Sequence, residues 1–252
     1  INATLNQSSL DHSLYVALKA KDAIVDQFRD ETGDRPNVDI DYPDFRIHLH
    51  IYENHCTLSF DSSGDSLHKR GYRDYTNQAP INEALAAALV IQSGWDKKLP
   101  LADFMCGSGT ILVEAAMYAL NIAPNKFRSK FGFEGWKDFD ASLWKKVKNE
   151  AIAAELKPDG LTLYGGDISG VVLDKARQNI EEAGLTDVIR LKKSSFDKFP
   201  VPAPNGVLIC NPPYGLRIEP KDIMSMYQTM GDKMKHDFKG WTCWIFTGNL
   251  EV

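Results

Sequence analysis

The chain has 252 residues, with 29 Lys and Arg against 34 Asp and Glu, and a formal net charge of −5. Its 43% hydrophobic and 25% charged residues are typical of a folded globular protein and exclude collagen-like, coiled-coil and disordered classes. No apolar run approaches the roughly 20 residues that a membrane-spanning helix needs. The negative charge argues against a protein that coats nucleic acid nonspecifically, although a local basic face remains compatible with it.

The four cysteines, Cys56, Cys106, Cys210 and Cys243, lie far apart in the sequence and form neither a CxxC pair nor a Cys/His cluster. This pattern predicts no metal site and no disulfide framework, and it favours a reducing, cytoplasmic compartment. The chain starts at Ile1 rather than Met, and no signal segment follows. We therefore expect a piece cut from a longer polypeptide.

The first 60 residues predict a small α+β unit. An amphipathic helix is expected over Leu14–Phe28, followed by two alternating strands over Arg46–Tyr52 and Cys56–Phe60. The composition then shifts to Ser, Gly, Asp, Lys and Arg over residues 61–77, which is typical of a linker. The sequence thus predicts a domain boundary in this segment.

Strands alternate with helices in the second domain, residues 78–252, which predicts a doubly wound parallel sheet. Five strands are expected, over Leu99–Phe104, Leu161–Tyr164, Val188–Leu191, Val207–Cys210 and Thr242–Thr247. The helices are expected over Ile81–Ile91, Thr110–Leu120, Val171–Ala183 and Ile223–Met234. Because the last strand ends close to the C-terminus, we expect the sheet to be truncated there.

A glycine loop, Cys106-Gly107-Ser108-Gly109, follows the first of these strands, which ends near Asp103. Glycines let a backbone turn sharply and approach a ligand, and the next helix presents free N–H groups. Asp167 follows the second strand, where a carboxylate can accept both hydroxyls of a ribose. The segment Pro124–Pro158 makes the spacing too long for a plain dinucleotide site, and Thr110 replaces the lysine of a P-loop.

A second motif, Asn211-Pro212-Pro213-Tyr214, follows the fourth strand at the carboxyl edge of the predicted sheet. The amide oxygen of Asn211 and the carbonyl oxygen of Pro212 can both accept hydrogen bonds from one exocyclic amine. This pairing directs the nitrogen lone pair at an electrophilic methyl, and the prolines hold the carbonyl rigid. Tyr214 can stack on the ring that carries the amine.

These motifs resemble those of a known enzyme family. The loop from Asp103 to Thr110 resembles the S-adenosylmethionine-binding motif of class I methyltransferases, and Asn211–Tyr214 resembles the catalytic motif of amine methyltransferases. The bacterial THUMP-domain large-subunit ribosomal RNA guanine methyltransferases are the more specific likeness. It is carried by Leu67–Arg73, Ala79–Ile81, Glu83 and Glu114–Ala116.

The resemblance implies an α/β fold: a Rossmann-like class I methyltransferase sheet preceded by a small α+β THUMP domain that binds structured RNA. It implies S-adenosyl-L-methionine as the cofactor. The expected reaction is methylation of the exocyclic amine of a guanine in 23S ribosomal RNA, giving 2-methylguanosine, with no part for DNA, a membrane or a metal.

The resemblance also implies roles for single residues. Around the methionine part of the cofactor it places Asp103, Cys106, Gly107 and Gly109. Asp167 is then the ribose acid, Ile168 lies beside the adenine ring, and Asp197 lies near the adenine amine. The catalytic residues are Asn211, Pro212 and Tyr214, with Asn211 also facing the cofactor.

Basic residues predict where RNA phosphates are bound. Lys69, Arg70 and Arg73 lie in the predicted linker, while Lys126 and Arg128 alternate with phenylalanines in the segment inserted before the second strand. Interleaved cations and aromatic rings suit backbone contact and base stacking. The alternative for the inserted segment is a surface loop whose aromatic rings fill the core.

Two other functions share parts of this pattern. One is another amine methyltransferase, acting on adenine in DNA or on a protein glutamine, which the RNA-binding domain disfavours. The other is a noncatalytic RNA-binding protein that keeps a vestigial cofactor fold, which the intact glycines, acids and Asn211 disfavour. A carbon-methylating enzyme would need a cysteine nucleophile, and for Cys210 we expect a packing role instead.

Overall fold

The computed structural model describes residues 1–41, 43–73, 81–213 and 220–248. The chain divides into two compact units. The first unit contains Ile1–Ser66 and Ser129–Lys145, and the second contains Leu67–Arg128 and Lys146–Val252. Residues 74–77 of the predicted linker lie outside the described residues, so the boundary stays a prediction. Within the described ranges, no helix has the combined length and apolar character that crossing a membrane requires.

The first unit is built on a three-stranded sheet and one long helix. The elements are β1 (Asn2–Asn6), α1 (Ser13–Thr32), β2 (Arg46–Tyr52) and β3 (His55–Asp61). β2 pairs parallel with β1 and antiparallel with β3. The helix and the β2–β3 hairpin confirm the predicted elements. β1 was not predicted, because only Ala3 and Leu5 give it an apolar alternation.

Residues 129–145 complete this first unit. The Gly132 amide donates to the Ser63 carbonyl at 3.1 Å, and a side chain at Gly132 would press on the Gly64 backbone. The rings of Phe131 and Phe133 lie 5.5 Å apart and each meets the Trp144 ring edge-on. These phenylalanines therefore pack within their own unit, as the core-filling alternative predicted.

The second unit contains a five-stranded sheet in which all neighbours are parallel, in the order β6-β5-β4-β7-β8. The strands are β4 (Leu101–Asp103), β5 (Leu163–Asp167), β6 (Ile189–Lys193), β7 (Gly206–Cys210) and β8 (Trp241–Ile245). Its helices are α2 (Glu83–Gln92), α3 (Thr110–Ala119), α5 (Gly170–Glu182) and α6 (Pro220–His236). A further helix, α4 (Ala141–Ala153), begins in the first unit and ends in the second. The predicted α/β class with a Rossmann-like parallel sheet is confirmed.

The order of the strands indicates where a ligand site should lie. β4 lies at the centre, with β5 and β6 on one side and β7 and β8 on the other. In open sheets of this kind, ligands bind where the strand order reverses, outside the carboxyl ends of the strands. The ends of β4, β5 and β7 therefore form the candidate site.

β5 runs three residues further than predicted, through Gly165 and Gly166 to Asp167. A side chain at Gly166 would overlap the ring of Phe199, and one at Gly165 would overlap Leu191. The glycines therefore allow close packing on both faces of a continuing strand. This packing carries the strand as far as Asp167, at the edge of the sheet.

A buried polar cluster holds residues 70–73 against helices α2 and α3 of the second unit. The Tyr72 hydroxyl donates to the Glu114 carboxylate at 2.9 Å, and the Arg70 guanidinium lies 3.4 Å from the same group. Arg73 pairs with Glu83 at 2.9 Å. Both arginine side chains are almost fully buried in these pairs. The prediction that they contact RNA phosphates does not fit this burial.

Tyr72→Phe should destabilise the protein by about 1–3 kcal/mol, because it removes a donor from a buried carboxylate. Chemical denaturation monitored by circular dichroism measures the free energy of unfolding. Tyr118→Phe removes a half-buried hydroxyl from the same helix as Glu114, with its ring against the Lys97 ammonium rather than on the carboxylate, so it is the control and should cost less. Equal losses in the two variants would show that the Glu114 hydrogen bond contributes nothing specific.

Candidate active site

Asp103 ends the central strand and is 1% exposed. Its Oδ1 atom accepts a hydrogen bond from the Met105 amide at 3.0 Å. Burial raises the pKa of Asp103 to about 7, the charge of Asp167 adds to this, and hydrogen bonds from Met105 and Cys210 oppose it. The carboxyl group therefore changes protonation close to neutral pH.

The glycine loop turns back over the strand ends. Gly107 and Gly109 have φ angles of +57° and +81°, a region that L side chains rarely adopt. The Cys106 amide donates to the Gly166 carbonyl of β5 at 2.8 Å, which holds the loop against the neighbouring strand. In the described part of the chain, no side chain caps α3 where it starts at Thr110. Its first amides are thus available to an anionic group.

Asp167 joins the end of β5 to this loop. Its two carboxylate oxygens accept hydrogen bonds from the Gly107 amide at 3.1 Å and from the Ser169 amide at 2.9 Å. The next residue, Ile168, is 70% exposed. The structure therefore brings the predicted loop, ribose acid and apolar contact residue together at one edge of the sheet.

Asp197 lies in a short 3-10 helix, Phe196–Lys198, that follows β6. It is exposed, and a hydrogen bond from Ser195 holds the pKa of its carboxyl below the ordinary range. The neighbouring Phe196 ring packs 5.9 Å from that of Phe104, which anchors the turn to the core. Asp197 is thus an ionised group that follows β6, the strand next to β5 in the sheet.

Asn211 follows β7, which pairs with β4, so it lies beside Asp103 at the carboxyl edge. Its Oδ1 atom is buried and accepts no hydrogen bond from any described residue. An unsatisfied buried acceptor of this kind costs about 1–3 kcal/mol, so it marks a position that a donor should occupy. Pro212 is buried beside it, and Tyr214 lies outside the described residues.

Asn179, which was not predicted as a site residue, holds the glycine loop in place. It is fully buried on α5, and its Nδ2 atom donates to the Ser108 carbonyl of the glycine loop at 3.0 Å. On the same helix, the Cβ atom of Ala176 lies only 3.4 Å from the position that a Cβ atom would take at Gly109. The sequence carried a signal: Asn179 is a polar residue on the buried face of an apolar stripe.

The predicted RNA-binding lysines and Arg128 lie elsewhere in the second unit. Lys126 is exposed and pairs with Glu155 at 2.7 Å, whereas Arg128 is half-buried. Lys69 is exposed on the segment before α2. In the sequence, Lys126 and Arg128 come after α3 and Lys69 comes before α2. None of the three directly follows the carboxyl end of a sheet strand.

Two cysteines lie at the strand ends. Burial raises the pKa of the Cys106 and Cys210 thiols well above the usual range, so both are protonated at neutral pH. This state does not suit a nucleophile. The described residues also contain no group of three His, Cys, Asp or Glu side chains placed to hold a metal ion.

Solved structures with the same architecture exist. SMU.472, named as a candidate methyltransferase complexed with SAH, is 35% identical, with a TM-score of 0.87 over 100% of this chain and 66% of that one. A Listeria monocytogenes protein, named as a predicted N6-adenine-specific DNA methylase, is 32% identical, with a TM-score of 0.87 over 99% and 65%.

Curated relatives are longer than this chain. A Synechocystis sp. protein, named as a candidate RNA methyltransferase, is 46% identical over 99% of this chain and 65% of its own length. The ribosomal RNA large subunit methyltransferase K/L of Pseudomonas aeruginosa is 41% identical over 97% of this chain and 35% of its own length.

Family profiles match both parts of the sequence. Residues 1–61 match the THUMP domain, and residues 70–252 match the RMKL-like methyltransferase domain. The second match covers well over half of the chain and includes the strand ends described above. This chain is therefore a member of the RMKL-like methyltransferase domain family.

Proposed function

We propose that this protein transfers a methyl group from S-adenosylmethionine to the exocyclic amine of a guanine in large-subunit ribosomal RNA, in the cytoplasm, giving 2-methylguanosine. The observation that carries the proposal is the buried, unsatisfied Oδ1 atom of Asn211 beside the glycine loop. The names of the K/L relatives, at 41–42% identity, support the choice of RNA and of the large ribosomal subunit.

The residues around the loop fit the proposed cofactor. Asp167 offers carboxylate oxygens for ribose hydroxyls, Ile168 offers an exposed apolar surface for the adenine ring, and Asp197 can accept from the adenine amine. The uncapped amides of α3 suit the carboxylate of the methionine part. When bound, the cofactor supplies an electrophilic methyl group.

The Asn-Pro pair recognises the amine. Asn211 Oδ1 and the carbonyl oxygen of Pro212 would each accept a hydrogen bond from one N–H of the amine, which leaves the nitrogen lone pair directed at the methyl group. With S-adenosylmethionine bound, this orientation would present the amine to its electrophilic methyl group. The amine then loses a proton, so no strong general base is needed before transfer.

The guanine must leave its base stack to reach Asn211, at a cost of a few kcal/mol. Tyr214 remains our candidate for stacking on the extruded base, and it lies outside the described residues. Lys69, Lys126 and Arg128 are our candidates for phosphate contacts, with Lys126 exchanging its Glu155 partner for phosphate. The first unit, which matches a THUMP domain, is proposed to bind structured RNA.

Asn211→Ala should lower kcat on undermethylated large-subunit ribosomal RNA on the order of a hundredfold, because one of two groups that orient the amine is lost. Transfer of labelled methyl from S-adenosylmethionine, followed by nucleoside mass analysis, measures this. Asn205→Ala, at the opposite end of β7 and exposed, is the matched control and should retain activity.

DNA and bulk protein serve as parallel acceptors in the same assay, because the chemistry at Asn211 suits any planar amine. Label in adenine of DNA would support the function in the name of the Listeria protein and contradict the RNA assignment. If S-adenosylhomocysteine binds and no acceptor is labelled, the result would contradict the proposed activity of this chain and point to a missing piece of the polypeptide or to a noncatalytic binding protein.

Asn179→Leu should raise the Kd of S-adenosylhomocysteine about tenfold, or about 1.4 kcal/mol, because the glycine loop loses the donor that holds Ser108. Isothermal titration calorimetry measures the Kd. Gln178→Leu, on the exposed face of the same helix, controls for the change in helix composition. An unchanged Kd in Asn179→Leu would show that the loop holds its shape without this hydrogen bond.

A further inference from the structure

The strands β5 and β6 border a cavity that lies outside the candidate site described above. Residues 194–205 connect β6 to β7, and the regular structure in this connection is the short 3-10 helix Phe196–Lys198. Parallel strands are usually joined through an α-helix that covers the face of the sheet. This connection instead leaves a cavity of about 270 Å³ over β5 and β6.

The strand register places two cationic side chains on one face of the sheet. Arg190 of β6 pairs with Tyr164 of β5, and Lys192 pairs with Gly166. Paired residues point to the same face, and residues two apart on a strand lie about 7 Å from each other on that face. The ring of Phe199 lies against Gly166, where a side chain would overlap it. Arg190 and Lys192 therefore line the same cavity as the two aromatic rings.

Both cations are available to a ligand. Arg190 and Lys192 are exposed, and neither takes part in an ion pair with a described residue. One guanidinium nitrogen of Arg190 donates to the Thr186 carbonyl at 2.8 Å, which leaves its other N–H donors for a ligand. The described residues that line the cavity include no acidic side chain. The charge of the cavity thus favours an anionic ligand.

The rest of the lining suits a flat ring. Tyr164 is half-buried and packs at the margin of the apolar cluster that contains Phe199, and Pro200 and Pro202 add rigid apolar surface. The volume lies just below the roughly 300–1,000 Å³ of sites for drug-sized molecules, so it suits one ring system with a short substituent. Proteins hold unpaired nucleotides by such a combination, in which the base stacks on an aromatic ring and cations bind the backbone.

We propose that this cavity binds an unpaired nucleotide of the RNA substrate, with its base against Tyr164 and the phosphates on its two sides held by Arg190 and Lys192. β5 leads from Tyr164 to Asp167 in three residues, a distance of about 10 Å at the rise of a strand. The bound nucleotide thus lies close to the cofactor edge and belongs to the strand that flanks the extruded guanine. The inference rests on the proposed function.

The test compares variants of the whole protein. The double variant Arg190→Ala, Lys192→Ala removes both cations, and Tyr164→Leu removes the flat ring while keeping an apolar side chain. The double variant Lys235→Ala, Lys239→Ala is the matched control, because it removes two exposed cations from α6 and from the turn before β8. Fluorescence anisotropy measures binding of a labelled single-stranded oligouridylate, without cofactor, between about 50 and 200 mM salt. Circular dichroism establishes that each variant is folded.

We expect Arg190→Ala, Lys192→Ala to weaken binding roughly fivefold, as the loss of two exposed ion pairs should. The slope of log K against log salt should fall by about 1.4, because each phosphate contact of a single strand contributes about 0.7. Tyr164→Leu should weaken binding roughly tenfold and leave the slope unchanged, since stacking involves no counterion, and Tyr164→Phe should restore it. The control should keep the wild-type affinity and slope.

Methyl transfer provides a second measurement. On undermethylated large-subunit ribosomal RNA, Arg190→Ala, Lys192→Ala should raise KM roughly fivefold, while kcat at saturating RNA and the Kd of S-adenosylhomocysteine stay at wild-type values. A purely structural role for the two cations would not separate KM from kcat in this way.

Equal weakening in the Lys235→Ala, Lys239→Ala control would overturn the proposal, as would an unchanged affinity in Tyr164→Leu. Uridine monophosphate that binds as tightly as the oligouridylate would assign the cavity to a free nucleotide and overturn the RNA assignment. If the wild-type protein methylates ribosomal RNA while the Arg190→Ala, Lys192→Ala variant keeps its affinity and KM, the cavity proposal fails and the proposed function stands. If no RNA is methylated while these cations still determine oligouridylate binding, the proposed function fails and the nucleotide site stands.

Discussion

The carboxyl ends of three neighbouring parallel strands must meet at one edge of the sheet, and the site depends on how the loop after β4 is held there. β5 holds it twice, through the Gly166 carbonyl and the Asp167 carboxylate, and α5 holds it once through Asn179. None of these contacts involves a residue of the loop's own strand. The glycines can take left-handed conformations because neighbouring elements fix them from outside.

This arrangement puts acidic groups of different character at the same edge of the sheet. Asp103 is buried, which raises its pKa to about 7, whereas Asp197 on an exposed turn is held in the ionised form by a hydrogen bond. A positively charged ligand such as a sulfonium favours the ionised form of both. The same edge carries the unsatisfied oxygen of Asn211, which attracts a hydrogen-bond donor. Two neighbouring strands therefore offer complementary preferences to a donor amine and to a cationic cofactor.

Most of the fold could be predicted from apolar periodicity, because a buried parallel strand and an amphipathic helix leave strong patterns. β1 escaped prediction because it is polar on alternate residues and gains its place by pairing with β2. The predicted β5 ended too early because glycine usually indicates the end of a strand. In this sheet the absence of a side chain at Gly166 makes room for the ring of Phe199. Both misses involve tertiary contacts that a local pattern does not contain.

The site was predictable where motifs are contiguous, and less so where partners are distant. The loop, Asp167 and Asn211 meet at the strand ends, as the pattern indicated. The burial of Arg70 and Arg73 could not be predicted, because a buried arginine and an exposed one look alike in sequence, and their acidic partners lie 44 and 10 residues away. Asn179 was passed over because it acts on a group contributed by another element, the Ser108 carbonyl of the glycine loop.

The packing of residues 129–145 into the first unit has a consequence for synthesis on the ribosome. That unit lacks part of its aromatic core until Trp144 has been made, by which time the central strand and the glycine loop already exist. At 5–20 residues per second, the delay after Ser66 is about 4–16 s. The strands of the first unit are therefore complete well before its aromatic core, and this unit can be finished only after the first part of the second unit has been made.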